Sequence, residues 1–352
     1  MIKSLKDISW QVTEPEYRAD DALSYSTLAK YEREGRFDSL LSLFDRISTP
    51  SLTFGSIVDT LITGSDEEFD NTFFVSSIAE LPQSYINITK ALYDNNKGEY
   101  LGLAAIPNSI IIAETEIQGF YKNWKPETRA KVIKEKCSDY YNMLMLAEGK
   151  QVVTQSDVLD AKDCAEALKT NSNTKYFFEA DDPFNSDGIE RLYQLKFKGT
   201  NDGVNYRCMA DLIVVDHNNK TIQPCDLKTS SHNEWEFYKS FTDWRYDIQA
   251  RLYWRLIKQN IDKDEYFKDF KLLDYKFIVV NRRNKQPEVW DFPLTKMFGE
   301  IAISKKSGYT YFLRDPYTIG KELKNYLDNK DLKEPVEMNK SNNIVKFINN
   351  SI

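Results

Sequence analysis

The chain has 352 residues, a formal net charge of −7, two histidines and four cysteines. Two histidines exclude a histidine-rich metal site, and a His-dependent triad as the main chemistry. The cysteines lack Cys-x-x-Cys spacing, which argues against zinc and iron–sulfur sites. We expect a cytoplasmic protein without membrane spans, because the sequence shows neither a long apolar run nor a signal-peptide pattern. At this length, one elaborated domain or a core with a helical lobe is expected.

Apolar periodicity predicts an α+β protein that is helical in its first half. Residues 24–63 are predicted to be helical with a loop after Arg46, and residues 64–185 largely helical, with periodic segments near 84–95, 109–122, 126–148 and 155–171. Three antiparallel strands follow, at RLYQLKFK, VNYRCMADLIVV and KTIQPCDLKT. After them come the helical stretch EWEFYKSFTDWRYDIQARLYWRLIKQ and the strands LLDYKFIVVN and QPEVWDF. The predicted regions are N-terminal helices at 1–63, a helical insertion at 64–187, a sheet with its helices at 188–314 and a C-terminal tail at 315–352, whose Asn-rich end from residue 334 is expected to be loosely ordered.

Two carboxylates and a lysine stand on neighbouring predicted strands. Asp211 lies on one strand and Asp226 and Lys228 on the next, and the turn-like HNNK between them predicts a hairpin. Because alternate strand residues share a face, Asp226 and Lys228 should point the same way while Leu227 turns into the core. Asp211, Asp226 and the Leu227 carbonyl could bind a hard divalent cation, beside which Lys228 would orient water or offset developing charge. The alternative is a salt bridge on an ordinary hairpin.

Two helical patterns accompany the hairpin. In DWRYDIQARLYWRLI, Tyr246, Gln249 and Tyr253 share one stripe, and in LTFGSIVDTLIT the residues Gly55 and Asp59 border the apolar side. Gly55 would allow another backbone to approach closely, and Asp59 could add a third carboxylate. Taken without the hairpin, the first pattern would be a partly buried polar stripe on an amphipathic helix.

Together these motifs resemble the PD-(D/E)XK nuclease superfamily, and within it the exonuclease VIII and RecB-type branch used by phages for recombination. The resemblance covers roughly residues 20–65 and 188–292. It includes the segment LSYSTLAKY and the segment TDWRYDIQ, which ends at Gln249. It implies a restriction-endonuclease-like core, a central mixed sheet flanked by helices in the order α-β-β-β-α-β, with a large helical insertion. Two positions depart from the branch, Asp59 where histidine is usual and Ala210 where proline is usual.

The resemblance also implies roles for individual residues. Lys228, Asp226, Asp211, Gln249 and Tyr253 would be catalytic, with Gln249 holding the lysine or a phosphate and Tyr253 contacting DNA. An acidic ligand is expected at the start of the first core strand, where Glu190 and Gln194 remain alternatives and a solvated Glu190 is the third possibility. The metal ligands would then be drawn from Asp211, Asp226, Leu227, Asp59 and Glu190, with Mg²⁺ as the ion and Mn²⁺ as a substitute.

A net charge of −7 is awkward for an enzyme of nucleic acids, since phosphates require a positive field. Positive charge must therefore be local. The residues predicted to contact nucleic acid are Arg245, Tyr246, Arg282, Arg283 and Lys285.

The function implied by the resemblance is a Mg²⁺- or Mn²⁺-dependent DNA exonuclease that resects duplex ends, 5′ to 3′. A single-strand annealing protein, a ring-shaped homo-oligomer and the host cytoplasm, if the chain is phage-encoded, follow from the same resemblance. One alternative is a RecB-type nuclease of single-stranded DNA. The other, from a different class, is a catalytically weak DNA-end-binding module that retains the fold.

Overall fold

A computed structural model describes residues 2–33, 43–44, 49–76, 81–97, 99–179, 188–233, 236–304 and 310–329. The chain divides into two compact units, the first formed by residues 1–55 and 164–352 and the second by residues 56–163. The predicted lobe at 64–187 therefore begins eight residues, and ends twenty-four residues, later than the second unit. One helix crosses each boundary, at Pro50–Thr63 and at Gln155–Thr170, so helical periodicity alone gives no sign of either boundary.

The described helices and strands follow the predicted order. The helices are α1 (Glu14–Ala19), α2 (Tyr25–Arg33), α3 (Pro50–Thr63), α4 (Asp66–Thr72), α5 (Gln83–Asn95), α6 (Asn108–Ile117), α7 (Pro126–Leu146), α8 (Gln155–Thr170), α9 (Lys175–Phe178), α10 (Phe237–Asp243), α11 (Tyr246–Ile261) and α12 (Pro316–Asp328). The strands are β1 (Phe73–Ser76), β2 (Gln151–Thr154), β3 (Ile189–Asn201), β4 (Val204–Asp216), β5 (Thr221–Ser230), β6 (Lys271–Leu272), β7 (Tyr275–Asn281), β8 (Pro287–Phe292), β9 (Ile301–Ser304) and β10 (Thr310–Leu313).

The first unit is built on a mixed sheet with the strand order β3-β4-β5-β7-β8. The three strands β3, β4 and β5 are antiparallel neighbours, as predicted, and the β4–β5 hairpin turns through residues 217–220. β7 pairs parallel to β5, which requires a crossover, and α10 and α11 form it. The unit is thus an α+β fold with a mixed sheet.

Helix α11 lies between the sheet and other helices. It packs against β3 and β4, and also against α2 and α12. Ile248, Leu252 and Leu256 are completely buried at helical spacing, so this face supplies much of the apolar contact with the sheet. Arg251 and Arg255 lie beside this face and are also buried, and their guanidinium groups pair with Asp315. Because every residue from Asp247 to Ile257 is buried, residues on α11 are held in fixed positions relative to the sheet.

The predicted C-terminal tail at 315–352 includes residues 316–328, for which no helix was predicted. They form α12, which Asp315 caps by accepting from the Tyr317 N–H at 2.9 Å and which carries a proline in its first turn. Ile319 and Leu323 are fully buried in the core of the first unit. The Asn-rich stretch from residue 334 onward lies outside the described residues.

The second unit has its own helical core. α5, α6 and α7 bury Ile88, Leu92, Ile111 and Ile133 against one another. This part was predicted to be largely helical, and it also contains β1 and β2, which pair in parallel. Each strand has four residues, too few for an alternating pattern to be recognised. Among the described helices, none is both long and apolar enough to cross a membrane.

Candidate active site

The sheet opens between β4 and β5 at the predicted carboxylates. Their ladder runs from Asp216 opposite Thr221 to Leu212 opposite Cys225, and the same register would place Asp211 opposite Asp226. Beyond Cys225, β5 continues its pairing with β7, whereas β4 stays with β3. Instead of a ladder bond, the Leu227 N–H donates to Asp211 Oδ2 at 3.0 Å. This divergence leaves two carboxylates side by side where neither strand pairs with the other.

Asp226 is the centre of the site. Its side chain is completely buried, and both its oxygens face polar groups of the same unit. Lys228 Nζ forms an ion pair with Oδ2, and Gln249 Nε2 on α11 donates to Oδ1 at 2.5 Å. The structure therefore brings together four of the predicted catalytic residues, Asp211, Asp226, Lys228 and Gln249.

The predicted orientation of the strand was wrong in one respect. Asp226 and Lys228 do share a face, with Asp226 fully buried and Lys228 half-buried, but Leu227 is also half-buried and is not part of the core. The reason is the position of α11, which covers the polar face of β5 and supplies Gln249 to satisfy it. A strand pattern alone cannot tell which of its faces a helix will cover.

Lys228 is held as a cation by its surroundings. Its Nζ lies 4.9 Å from the centroid of the Tyr246 ring, a cation–π contact. Burial lowers the pKa of Lys228, but the negative charges of Asp226 and Asp211 outweigh that effect, and the net pKa is raised above the usual lysine range. Tyr246, predicted to contact DNA, instead packs under the lysine and stacks on Phe277.

Burial and a second carboxylate dominate the electrostatics of Asp226. Burial, and then the nearby charge of Asp211, raise the pKa of Asp226 well above its usual range, while Lys228 opposes the shift. One ammonium thus faces two carboxylates. A divalent cation between the carboxylates would relieve their repulsion.

The two candidates on the first core strand are placed differently. Glu190 stands opposite Val215, four positions along β4 from Asp211, or about 13 Å at the usual strand rise. It accepts from Ser4 Oγ, and His217 Nε2 lies 3.6 Å away. The structure therefore does not bring Glu190 to the carboxylate pair. Gln194 falls opposite Asp211, where the β3–β4 ladder is interrupted and Gln194 has a left-handed φ of 54°.

Tyr253 and Arg245, both predicted to contact DNA, are largely buried in the structure. Tyr253 is 7% exposed and lies in the core of the first unit, where burial raises its pKa well above the usual tyrosine range. Arg245 donates to Asp247 at 2.8 Å and to Glu32 at 3.0 Å, and 11% of its side chain is exposed. The sequence interpretation missed both partners, although the Arg-x-Asp spacing to Asp247 was a local signal.

The turn from Arg282 to Lys285 lies at the end of β5 and β7 that follows Lys228. Ser230 pairs with Asn281, and the Arg282 N–H donates to the Ser230 carbonyl at 2.8 Å. Lys228 stands opposite Val279, so the turn begins about 10 Å further along the sheet. The Arg282 guanidinium stacks on Phe54 at 4.1 Å, and Lys285 Nζ donates to the Arg282 carbonyl at 2.5 Å.

Of the predicted DNA contacts, Arg283 is the exposed cation. We expect Arg283→Gln to weaken DNA binding and to reduce the slope of log affinity against log salt by about one, as for a lost phosphate contact. Arg245→Gln should leave that slope unchanged and instead lower thermal stability, because Asp247 and Glu32 each lose one of two arginine partners. Fluorescence anisotropy at several salt concentrations measures the slope. If the salt slope fell in Arg245→Gln and stayed unchanged in Arg283→Gln, then Arg245 and not Arg283 would be the phosphate contact.

Gly55 and Asp59 lie on α3, one turn apart. A Cβ on Gly55 would approach the Thr229 hydroxyl of β5 to 3.4 Å, so the helix does pass close to the strand, meeting a side chain rather than the predicted backbone. Asp59 is half-buried and belongs to the second unit. Its role as a third ligand remains a prediction, and within the described residues no group of three or more acidic, histidine or cysteine side chains could hold a metal.

The donor set of the first unit suits magnesium. Mg²⁺ commonly binds through one or two carboxylates and keeps several waters, so Asp211 and Asp226 are sufficient, with the Leu227 carbonyl as a candidate third donor. Gln249 Oε1 beside them is buried and accepts no hydrogen bond within the described residues. Such an acceptor costs free energy unless water or a ligand supplies a donor. The four cysteines are buried and free, and none lies in this donor set.

Comparisons with known proteins give little beyond this geometry. No family model matches the chain, and no curated protein matches it. Among solved structures, it is similar to the crystal structure of a protein named "putative exonuclease" from Eubacterium rectale, with 10% identity, 96% of each chain covered and a TM-score of 0.44. A likeness this loose carries no functional argument, so the function is argued from the site.

Proposed function

We propose that this chain is a metal-dependent nuclease that hydrolyses phosphodiester bonds of DNA. The observation that carries the proposal is the convergence of Asp211, Asp226 and Lys228 where β4 and β5 diverge, with Gln249 fixing Asp226 from α11. An ordinary salt bridge on a hairpin does not require a second carboxylate beside a fully buried one. Lys228 offsets one of the two negative charges, and a divalent cation would offset the repulsion that remains.

Each residue has a separate task in the proposed reaction. Asp211 and Asp226 would hold the cation, which when bound polarises the phosphate and neutralises its charge. Lys228, kept protonated by Asp226 and seated on Tyr246, would orient the attacking water and stabilise the charge that develops on the phosphate. Gln249 would position Asp226 by its hydrogen bond. These groups are fixed before substrate arrives, so little reorganisation is needed during the reaction.

The finer proposal follows the family resemblance. It is an exonuclease that resects duplex ends in Mg²⁺ or Mn²⁺, 5′ to 3′, and that works with a single-strand annealing protein as a homo-oligomer. Its support is the order of elements, α3, then β3 to β5, then α11 and β7, together with the four residues that this order brings together.

Digestion of end-labelled DNA tests the proposal. Linear and circular duplexes of the same sequence, and a single strand, are incubated with the chain in Mg²⁺, in Mn²⁺ and in EDTA. The expected result is shortening of the linear duplex from its 5′ ends, metal dependence, and an intact circle. Cleavage of the single strand alone would favour the RecB-type alternative. No cleavage of any substrate would contradict the nuclease proposal.

Removing Lys228 should affect the chemical step more than metal binding. A protonated lysine donates no electron pair to a cation, so Lys228→Ala should bind Mg²⁺ and DNA and yet lose roughly a hundred- to a thousandfold in turnover. Lys228→Arg should recover little, because the guanidinium is broader than the ammonium that fits over Tyr246. Single-turnover kinetics and Mg²⁺ titration measure the two quantities.

The matched control is Lys276→Ala on the neighbouring strand β7. Lys276 pairs with Asp291 and touches none of the proposed catalytic groups. The Lys276→Ala variant should cleave at close to the wild-type rate. If Lys228→Ala cleaved equally fast while folded, the role of Lys228 would be lost, and with it the main support for hydrolysis here.

A further inference from the structure

An exposed aromatic stack lies in the second unit, between α6 and α7. Tyr121 and Trp124 stack with ring centroids 4.4 Å apart and an interplanar angle of 17°. Tyr121 also meets Phe120 edge-on at 4.5 Å, and Phe120 is buried. The stack is thus anchored in the core at one end. At the other end is Trp124, 39% exposed, whose only aromatic neighbour among the described residues is Tyr121, itself 46% exposed.

The backbone that presents these rings is unusual. Gly119 has φ 66° and Tyr121 has φ 39°, so a non-glycine residue occupies a left-handed conformation at the centre of the stack. The Trp124 N–H donates to the Tyr121 carbonyl at 2.8 Å, which closes the turn. A bulky residue in this conformation costs free energy and is worth examining for function. Here the conformation turns two large apolar side chains toward solvent, which hydrophobic burial disfavours.

Two lysines, Lys122 and Lys125, neighbour the rings in the sequence, and Lys122 Nζ lies 3.5 Å from the position that a Cβ on Gly119 would occupy. Neither lysine forms an ion pair within the part of the chain that the structure describes. The nearby Glu116 pairs with Arg129 at 3.2 Å, and Glu127 stands in the first turn of α7. The segment that carries the rings, residues 118–125, therefore bears two cations and no carboxylate, although acidic and basic residues balance over residues 114–129.

A small cavity adjoins Tyr121. Its volume is about 260 Å³, and Asn87, Gln118 and Ser84 supply its polar lining, with Phe120 and Tyr121 as aromatic walls. Pockets for drug-sized ligands are larger, roughly 300–1,000 Å³, so this one suits a fragment no larger than a single base. Asn87 Oδ1 accepts from Gln83 at 2.7 Å, while its Nδ2 donates to no group among the described residues. The cavity thus offers planar apolar walls together with amide groups.

We propose that Tyr121 and Trp124 form a base-stacking platform that binds an unpaired base of single-stranded nucleic acid, with Lys122 and Lys125 contacting the adjoining phosphates. Aromatic rings interleaved with lysines are the elements from which sequence-tolerant single-strand sites are built, because every base has a face that stacks. The inference rests on the proposed nuclease function for its purpose, since resection produces a single strand that must be held. The binding itself is independent of cleavage.

Binding is tested with the full chain in EDTA, where no cleavage is expected. The probes are a labelled oligothymidylate of about twelve nucleotides, within the usual site sizes, and an abasic strand of equal length. Fluorescence anisotropy gives Kd. Trp124→Ala and Tyr121→Ala should each raise Kd for the oligothymidylate by roughly five- to hundredfold, and Trp124→Phe should keep most of the affinity. The abasic strand should bind weakly, and its Kd should be the same for the wild type and for Trp124→Ala.

The controls lie in the same unit. Ile117→Ala removes an apolar side chain that is 80% exposed, and Lys131→Ala removes an exposed lysine on α7. Neither should change Kd, whereas Lys122→Ala should reduce the salt slope by about 0.7, as for one phosphate contact on a single strand.

Equal Kd for wild type, Trp124→Ala and Tyr121→Ala, or equal binding of the abasic strand by the wild type, would overturn the proposal. Duplex cleavage in Mg²⁺, measured in parallel, separates the two hypotheses. Trp124-dependent binding without any cleavage would support the platform and contradict the nuclease function. Cleavage together with binding that does not depend on Trp124 would support the nuclease function and contradict the platform.

Discussion

Asp226→Asn is expected to abolish cleavage at saturating Mg²⁺ while the chain stays folded. An amide is a much poorer ligand for a hard cation than a carboxylate, so metal affinity should fall together with activity. The fold should survive because asparagine keeps an acceptor for Gln249 Nε2 at the same place. Lys228 loses its main negative partner, so its pKa should fall as well. Asp211→Asn should have the same effect on cleavage, since Asp211 is the second carboxylate of the pair.

Metal titration by calorimetry and single-turnover cleavage measure the two losses, and circular dichroism checks the fold. The matched control is Asp216→Asn at the far end of β4, where the carboxylate accepts hydrogen bonds from the hairpin residues Asn218 and Asn219. It should bind metal and cleave like the wild type. Asp226→Ala, which removes the acceptor as well, should be less stable than Asp226→Asn. Wild-type cleavage by folded Asp226→Asn would refute the role of Asp226 as a ligand.

The convergence of four site residues could be predicted because local rules determine most of it. The short turn between β4 and β5 sets the hairpin register, and that register places Asp211 level with Asp226. Strand periodicity then puts Lys228 on the same face as Asp226. Gln249 required the additional expectation that the following helix crosses over the sheet, which the parallel pairing of β5 and β7 bears out.

Other residues could not be placed because their partners are distant in sequence. Arg245 is neutralised in part by Glu32, 213 positions earlier, and nothing in its own neighbourhood indicates that contact. Glu190 is held by Ser4 near the start of the chain. Tyr253 shares a helical stripe with Gln249 but lies one turn further along, where α11 is already buried in the core. Local periodicity gives the face of an element, and only the tertiary structure gives what covers that face.

Helix α12 was not assigned from the sequence. Its apolar residues Ile319, Leu323 and Leu327 recur every four positions, a helical signal that was overlooked beside the Asn-rich stretch from residue 334. What holds α12 in place is a buried ionic cluster, in which Asp315 meets Arg251 at 2.9 Å and Arg255 at 2.6 Å. Neither arginine could be assigned to this cluster from the sequence, since both are about sixty residues away.

Asp315→Ala should therefore destabilise the chain more than any surface substitution. Arg251 is completely buried and Arg255 nearly so, and the variant would leave Arg255 without a carboxylate and Arg251 with Asp247 alone, at 3.8 Å. Breaking a buried ion pair by removing one partner costs roughly 3–5 kcal/mol. The cap on α12 and the acceptor for the Gly299 N–H would be lost as well. Asp315→Asn keeps those acceptors, so its free energy of unfolding should lie between that of the wild type and that of Asp315→Ala.

Urea unfolding measures the loss, and Asp262→Ala is the matched control, because its pair with Lys258 is exposed and worth about 1 kcal/mol or less. Burial raises the pKa of Asp315, but hydrogen bonds and charge from Arg255 outweigh it, so the net pKa is lowered. A carboxyl group whose pKa is lower in the folded chain than in the unfolded chain stabilises the fold at any pH above its unfolded-state pKa. This stabilisation is lost as the pH falls through the folded-state pKa. The difference between wild type and Asp315→Ala should thus be full at neutral pH and shrink below about pH 4. A difference independent of pH, or no larger than that of Asp262→Ala, would show that the cluster does not hold α12.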